Sequence, residues 1–452
     1  MSTDWRSAPV PRTDPGSLEL PRVYRRSYGG TLLARPVVLH AEHARRVGDD
    51  VRDLCRLLVD LPARLTGGDL GRFADLVRVP AALRPLTTLG DVRRLPLYAR
   101  ADLLDDGTDL RLVELNFGSE LGGVDAAQMG RAWLADAAFG PVGEAWRLGV
   151  VDTAARTADL LRRAGERVGR PDPRCALVEA RGALADHAHV FVALREALAD
   201  HGVDLELAEI QDLRPRDDGR TDLGGAPVDV VLRYFAAHQL VGDADAVATY
   251  TALEVADARD RTALVGSLSA HCLASKAALA VLHAAPTQAV LADHERALVH
   301  RLVPWTGLVA DLDGSERDRV RAERADHVLK PGIGYSGVGT VVGDAVDDAR
   351  WAEALRAAAA TDCVVQRRVR PAAEVVVDPA TGRAEDWHAN WGVFVTAEGY
   401  AGGFVRALRP GDGAVIGYGN AGTRGAPVLT SPFLGPPPTG AGSVGAAAAV
   451  AS

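Results

Sequence analysis

The chain has 452 residues, 51 Lys+Arg against 60 Asp+Glu, and a formal net charge of −9. That length accommodates two or three domains, and 47% hydrophobic with 25% charged residues excludes a chain disordered over most of its length. An acidic balance exerts no general pull on nucleic acid or an anionic membrane, so no such partner is expected and any anion site has to be local. No apolar run approaches the length that spans a bilayer, and the opening MSTDWRSAPVPRTDPGSLELP lacks an apolar signal-peptide core. A cytoplasmic protein is expected. The scattered cysteines Cys55, Cys175, Cys272 and Cys363 form no CxxC pair, which fits reduced thiols rather than disulfides or zinc ligands.

In chain order, residues 1–20 are Pro-rich and polar and read as an arm. Residues 38–60 have apolar positions at helical spacing. Residues 97–104 and 110–116 read as strands about the turn signal Asp105-Asp106-Gly107-Thr108-Asp109. A helical region over 124–168 breaks near Gly140-Pro141. From about 171 the pattern becomes strand (175–180), helix (187–201), strand (204–210), a polar glycine-containing stretch (214–226) and a buried strand (228–235), as in an α/β layer on a parallel sheet. Helices are predicted over 273–284, 291–302 and 347–360. Strands are predicted at 327–331, 363–369, 389–399 and 402–409. From about 431 the composition is Pro, Gly, Ala and Ser, which predicts disorder. The expected units are an arm (1–20), a first α/β portion (21–170), a parallel-sheet domain (171–260), a third portion (261–430) and a tail (431–452).

Lysine is scarce: Lys276 and Lys330 stand beside 49 arginines, and asparagine occurs only at 116, 390 and 420. A lysine kept in such a chain suits a position that needs a compact, rotatable ammonium rather than a planar fork; codon bias with chance survivors is the other reading. Lys330 ends an apolar strand and leads into Gly332–Gly339 (GIGYSGVG), a loop of the kind whose N–H groups cradle phosphate. It is neither a P-loop nor a Rossmann fingerprint. Lys276 follows Ser275 at the start of an apolar helix, a plausible anion contact.

Along a strand Glu114 and Asn116 share a face, and Asp102 lies across the turn, directly or diagonally opposite. Two carboxylates and an amide oxygen form the hard-oxygen set that magnesium takes beside nucleotide phosphates; a solvated acidic hairpin face is the alternative. Arg233, at the end of VDVVLRYF (228–235), would point at a ligand from the carboxyl edge of its sheet or make an internal salt bridge. Arg406 in GGFVRALR (402–409) reads likewise.

These pieces, in this order, resemble the circularly permuted ATP-grasp enzymes, the group of glutathionylspermidine synthase-like proteins and eukaryotic glutathione synthetase. The matching segments are YARADLLDDGTDLRLVELN (98–116), VDVVLRYF (228–235), CLASKAALAVL (272–282), LVPWT (302–306), VLKPGIGYSGVG (328–339), VVQRRV (364–369) and GGFVRALR (402–409). The resemblance implies an α/β (α+β) fold of the permuted ATP-grasp type with a Rossmann-like parallel-sheet domain, and an ATP- and Mg²⁺-dependent ligase that joins a small carboxylate to an amine through an acyl phosphate. A small-molecule kinase or a non-catalytic nucleotide-binding module on the same scaffold remains open.

By matching position the resemblance assigns Asp102, Glu114 and Asn116 to magnesium. It assigns Lys276, Lys330 and the lid residues Gly332, Gly334, Ser336 and Gly337 to ATP, Gln366, Arg367 and Val369 to an adenine hinge, and Arg406 to the phosphates. Catalytic charge stabilisation would fall to Lys330, Arg406 and Arg233. The substrate carboxylate would meet Arg233 and the Ser119–Gly123 loop, including Ser119, Glu120 and Gly122, with Glu120 a possible proton acceptor. Two departures leave the substrates open: Gln366-Arg367 stands where the family commonly has an acidic residue, and FGSELGG (117–123) does not match the glutathionylspermidine synthase sequence.

Overall fold

Both ends of the chain contribute to one sheet. The computed structural model describes residues 13–28, 30–118, 121–186, 188–334 and 337–433; the expected arm and tail therefore lie largely outside the described residues. The sheet runs Val37–His40, Arg424–Ser431, Gly399–Leu408, Ala384–Thr396, Tyr98–Asp105, Leu110–Phe117, with Ala373–Val377 also on Ala384–Thr396. The expected helix from 38 starts later, because Val37–His40 forms a parallel ladder with residues 428–431 and the helix follows as Ala41–Thr66. A β-branched pair needs only a partner strand, and this one comes from the far end of the chain. The strands Ala373–Val377 and Arg424–Ser431 were not foreseen.

Alternation gives this sheet two unlike faces. Ala99, Ala101, Leu103, Trp391, Val393 and Val405 are buried beneath Ala41–Thr66 and the helices of 270–302 in the largest hydrophobic core. Arg100, Asp102, Glu114, Asn116, Asn390 and Arg406 occupy the other face and line a cavity. The helix approaches the sheet so closely that a Cβ on Gly48 would land on the backbone of Tyr400.

The second unit is a four-stranded parallel sheet, ordered Ala263–Val265, Val230–Arg233, Cys175–Glu179, Leu205–Glu209. Helices Thr153–Arg167 and Ala188–Ala199 cover one face and Ala244–Ala258 the other, the Rossmann-like arrangement expected. The polar stretch over 214–226 holds part of a small antiparallel meander, Leu213–Pro215, Thr221–Leu223 and Ala226–Val228. A third unit pairs Thr306–Leu308, Val364–Arg367, His327–Lys330 and Val341–Val342 antiparallel and packs on Trp351 and Leu355 of Asp348–Ala358. The predicted helix over 124–168 is three helices, Val124–Ala135, Gly140–Ala145 and Thr153–Arg167. Among the described residues no helix is long and apolar enough to cross a membrane.

Gly48→Ala should lower the stability of the fold by about 1–3 kcal/mol, the usual cost of overfilling a packed contact. Urea denaturation should show an earlier midpoint at unchanged slope.

Candidate active site

The turn between Tyr98–Asp105 and Leu110–Phe117 is set by Asp106, whose Oδ1 accepts from the N–H groups of Thr108 (2.8 Å) and Asp109 (2.9 Å). The register places Asp102 directly opposite Glu114 and Arg100 opposite Asn116. A bulge follows Asp102, since the next pair joins Leu103 to Leu112 and skips Val113. The skipped residue leaves the ladder locally open, and its carbonyl accepts a hydrogen bond from Lys330 Nζ at 2.8 Å.

Asp102 is 5% exposed and held by two guanidinium groups, Arg100 Nε at 2.9 Å and Arg406 at 2.8 Å. Burial pushes its carboxyl up, but Arg100 and Arg406 outweigh that and hold it below its ordinary value. Arg406 also donates to Asn390 Oδ1 at 3.3 Å. Arg100 donates to the carbonyl of Leu121 at 3.1 Å. Glu114 Oε1 accepts from Lys276 Nζ at 3.0 Å, and Asn116 Nδ2 lies 3.5 Å from the carbonyl of Arg100.

Lys276 opens the helix Lys276–His283, with Ser275 as its cap accepting from Ala277 N–H. An ammonium at that end opposes the helix dipole; Glu114 and the carbonyl of Gly334, 3.2 Å from Nζ, compensate. The backbone N–H of Lys276 donates to the carbonyl of Gly332 at 2.9 Å. The glycine loop is thus tied down by its carbonyls at its first turn. Further along, Gly337 has φ +74°, and a Cβ there would stand 2.6 Å from Val415. Only glycine fits both the left-handed backbone and that approach. Ser336 lies outside the described residues, as do Ser119 and Glu120.

Lys330 ends the strand His327–Lys330, and its two hydrogen-bond acceptors are both neutral: Val113 O and Gln366 Oε1 (2.7 Å). Burial, helped by the charge of Lys276, lowers its pKa to about 8 despite Glu114. Gln366 is buried and also donates to Thr306 Oγ1 at 3.1 Å, so its side chain orients Lys330. Arg367, Arg368 and Val369 continue along the cavity wall.

The structure therefore brings Asp102, Glu114, Asn116, Lys276, Lys330, Gly332, Gly334, Gly337, Gln366, Arg367, Val369 and Arg406 to one cavity of about 800 Å³. Among the described residues seven cationic side chains line it (Arg100, Lys276, Lys330, Arg367, Arg368, Arg406, Arg409) against three carboxylates (Asp102, Glu114, Asp344), in a chain of net charge −9. Arg233 is not brought there. It is fully buried in the parallel-sheet unit, donating to the carbonyls of Gly266 and Phe235 with its guanidinium over the Phe235 ring. The expectation that it holds a substrate carboxylate is corrected to an internal backbone-bonding role. Gly122 has φ +73° and accepts from Tyr98 OH at 2.9 Å, lining a second, smaller cavity.

Sequence reasoning missed Asn390, which the scarcity of asparagine already marked, and the loop 411–418, whose glycines in GDGAVIGYG were a signal left unused.

No family model matches the chain, and no curated protein matches it. Among solved structures it is similar to a glutathione synthetase-like effector from Globodera pallida, with TM-score 0.58 at 13% identity over 90% of this chain and 94% of that one. The chain has the ATP-grasp fold in its glutathione synthetase-like form. Weaker matches are a provisionally named gamma-glutamylcysteine synthetase from Methylobacillus flagellatus (TM-score 0.40, 14% identity, 87% of this chain and 89% of that one) and a D-alanyl-alanine synthetase A from Vibrio cholerae (TM-score 0.25, 13% identity, 49% of this chain and 67% of that one).

A chain with two lysines permits a direct reading of the Lys330 charge. Reductive ¹³C-methylation should give two lysine side-chain resonances, the one lost in Lys330→Arg titrating near pH 8. Anion binding at the cavity should weaken as pH rises through that value, because Lys330 is charged below it and neutral above it.

Proposed function

We propose that the protein is an ATP- and Mg²⁺-dependent ligase that activates a small carboxylic acid as an acyl phosphate and joins it to an amine. The observation that carries this is the cationic cavity, with Lys330 aimed into it and bonded only to neutral acceptors. A buried excess of positive charge suits a polyanion such as a triphosphate. The fold, shared with a glutathione synthetase-like effector, supports a ligase reading.

The chain's residues divide the work. Lys276, Lys330 and Arg406 would neutralise charge on the transferred phosphoryl group, which needs electrostatic rather than covalent help. The backbone over 366–369 would border the adenine, and the loops 332–339 and 411–418 would exclude water from the activated acid. The donor set fits magnesium: Glu114 and Asn116 face the cavity on alternate positions of one strand, and Asp102 would join them on giving up one guanidinium. Among the described residues no three His, Cys, Asp or Glu side chains form a metal cluster, so the amide oxygen of Asn116 would complete the set. Magnesium would supply charge neutralisation and orientation of the phosphates. In this reading the unit 261–430 carries the nucleotide lysines, lid and hinge, 21–170 the metal hairpin, and 171–260 the substrate domain. The partners are a small-molecule carboxylate and an amine, in the cytoplasm.

Purified protein with Mg²⁺-ATP, an amino-acid pool and hydroxylamine should release ADP and form a hydroxamate. Lys330→Ala should reduce hydroxamate by about 10²-fold or more, the scale of losing one fixed charge-stabilising donor. Glu114→Gln should raise the magnesium concentration required. ADP without hydroxamate would point to phosphorylation of a small molecule instead, and neither product would overturn the reading.

A further inference from the structure

A second cavity, of about 140 Å³, lies at the other end of the same sheet face. The strand Tyr98–Asp105 places Leu104, Asp102 and Arg100 in the main cavity and Tyr98 in this one. At about 3.3 Å per residue, Tyr98 lies about 13 Å along the strand from Asp102. The two cavities meet at one loop, Leu121 lining the first and Gly122 the second.

Its walls come from six helices and strands and the loop at Gly122. Tyr24 and Tyr28 sit one turn apart on Arg22–Tyr28. Leu232 and Tyr234 alternate at the carboxyl end of Val230–Arg233, an inner strand of the parallel sheet, the edge where parallel sheets receive ligands. Val190, 41% exposed, marks the mouth. Asp125, in the first turn of Val124–Ala135, is the one charged side chain lining the cavity among the described residues. Its Oδ1 accepts from the N–H groups of Gly123 and Ala126, and its Oδ2 accepts from Tyr28 OH. The chain carries 49 arginines, yet among the described residues no arginine, lysine or histidine lines this cavity. The nearest cation on the sheet face, Arg100, is spent on Asp102 and Leu121. Burial, then Asp125, then Glu196 push the Tyr24 hydroxyl up, so the acids act in one direction across the site.

A carboxylate walled by four tyrosine rings and aliphatic side chains recognises an apolar body that carries positive charge. The ring faces attract the cation and the carboxylate pairs with it, while the rest of the ligand loses its apolar surface to water. We infer that this cavity binds an organic ammonium ion with a small apolar body, about the size of a benzene ring. An amine is also the co-substrate that the ligase reading calls for, but binding here needs neither nucleotide nor turnover, so the two stand or fall separately.

The test is calorimetric titration of the full chain, without ATP or Mg²⁺, with benzylammonium and with its neutral counterpart benzyl alcohol. Benzylammonium should bind at least tenfold more tightly. Asp125→Asn, whose amide oxygen can still accept from the N–H groups of Gly123 and Ala126 while the charge is removed, should erase that preference. Val190→Trp, at the exposed mouth, should weaken binding without touching the interior. Equal affinity for the two probes, a preference that survives Asp125→Asn, or no binding of benzylammonium would each overturn the inference. Hydroxamate formation in the assay above is independent of all three outcomes.

Discussion

A single carboxylate makes the lysine pair of this site tenable. Lys276 and Lys330 reach the cavity from separate elements, and the charge of each opposes the other: Lys276 contributes to the low pKa of Lys330. Glu114 bonds one ammonium directly and offsets the burial of the other. Without it two like charges would share a partly desolvated site, an arrangement that folding does not sustain cheaply. The register of Leu110–Phe117 therefore carries unusual weight. A slip of one residue would turn Glu114 and Asn116 toward the helical core and bring the Leu115 side chain, now in that core, to the cavity face. The bulge after Asp102 matters for the same reason, because it presents the Val113 carbonyl to Lys330 while leaving Glu114 opposite Asp102.

That arrangement also ties the units together. Lys330 reaches from the small antiparallel sheet to the large one, and Gln366 fixes its approach from the neighbouring strand. Lys276 and Ser275 hold the first turn of the glycine loop through the carbonyls of Gly332 and Gly334. The position of the loop and the charge of Lys276 are therefore coupled: whatever competes for that ammonium also competes with the loop's anchor.

Much of the site was legible in the sequence because its cues are local or compositional. Glu114 and Asn116 follow from strand alternation, Asp102 from a turn whose aspartate chemistry fixes the pairing, and the lysines from their rarity. The parallel-sheet unit was legible from its short apolar runs. Features that depend on partners distant in the chain were not. Nothing near Val37–His40 announces a parallel pairing with residues 428–431, and nothing in VVQRR shows that Gln366 spends its side chain on Lys330 and Thr306. Arg233 illustrates the same limit: an arginine ending a buried strand looks the same in sequence whether its guanidinium points outward to a ligand or inward to the carbonyls of Gly266 and Phe235.

Asp102 and Asp125 are stabilised in opposite ways. Asp102 is a buried acid flanked by two arginines, and its neighbours leave the cavity with positive charge to spare. Asp125 is held by two backbone N–H groups and a tyrosine, which satisfy its hydrogen bonds without cancelling its charge. The polar face of the sheet is thus cationic around Asp102 and acidic beyond Tyr98, with the loop at Leu121–Gly122 between. In a chain with 49 arginines to place, two neighbouring cavities with opposite charge imbalance are fitted to ligands of opposite sign. Hydrogen bonding alone does not require that separation, since either aspartate could have been satisfied by the other's partners.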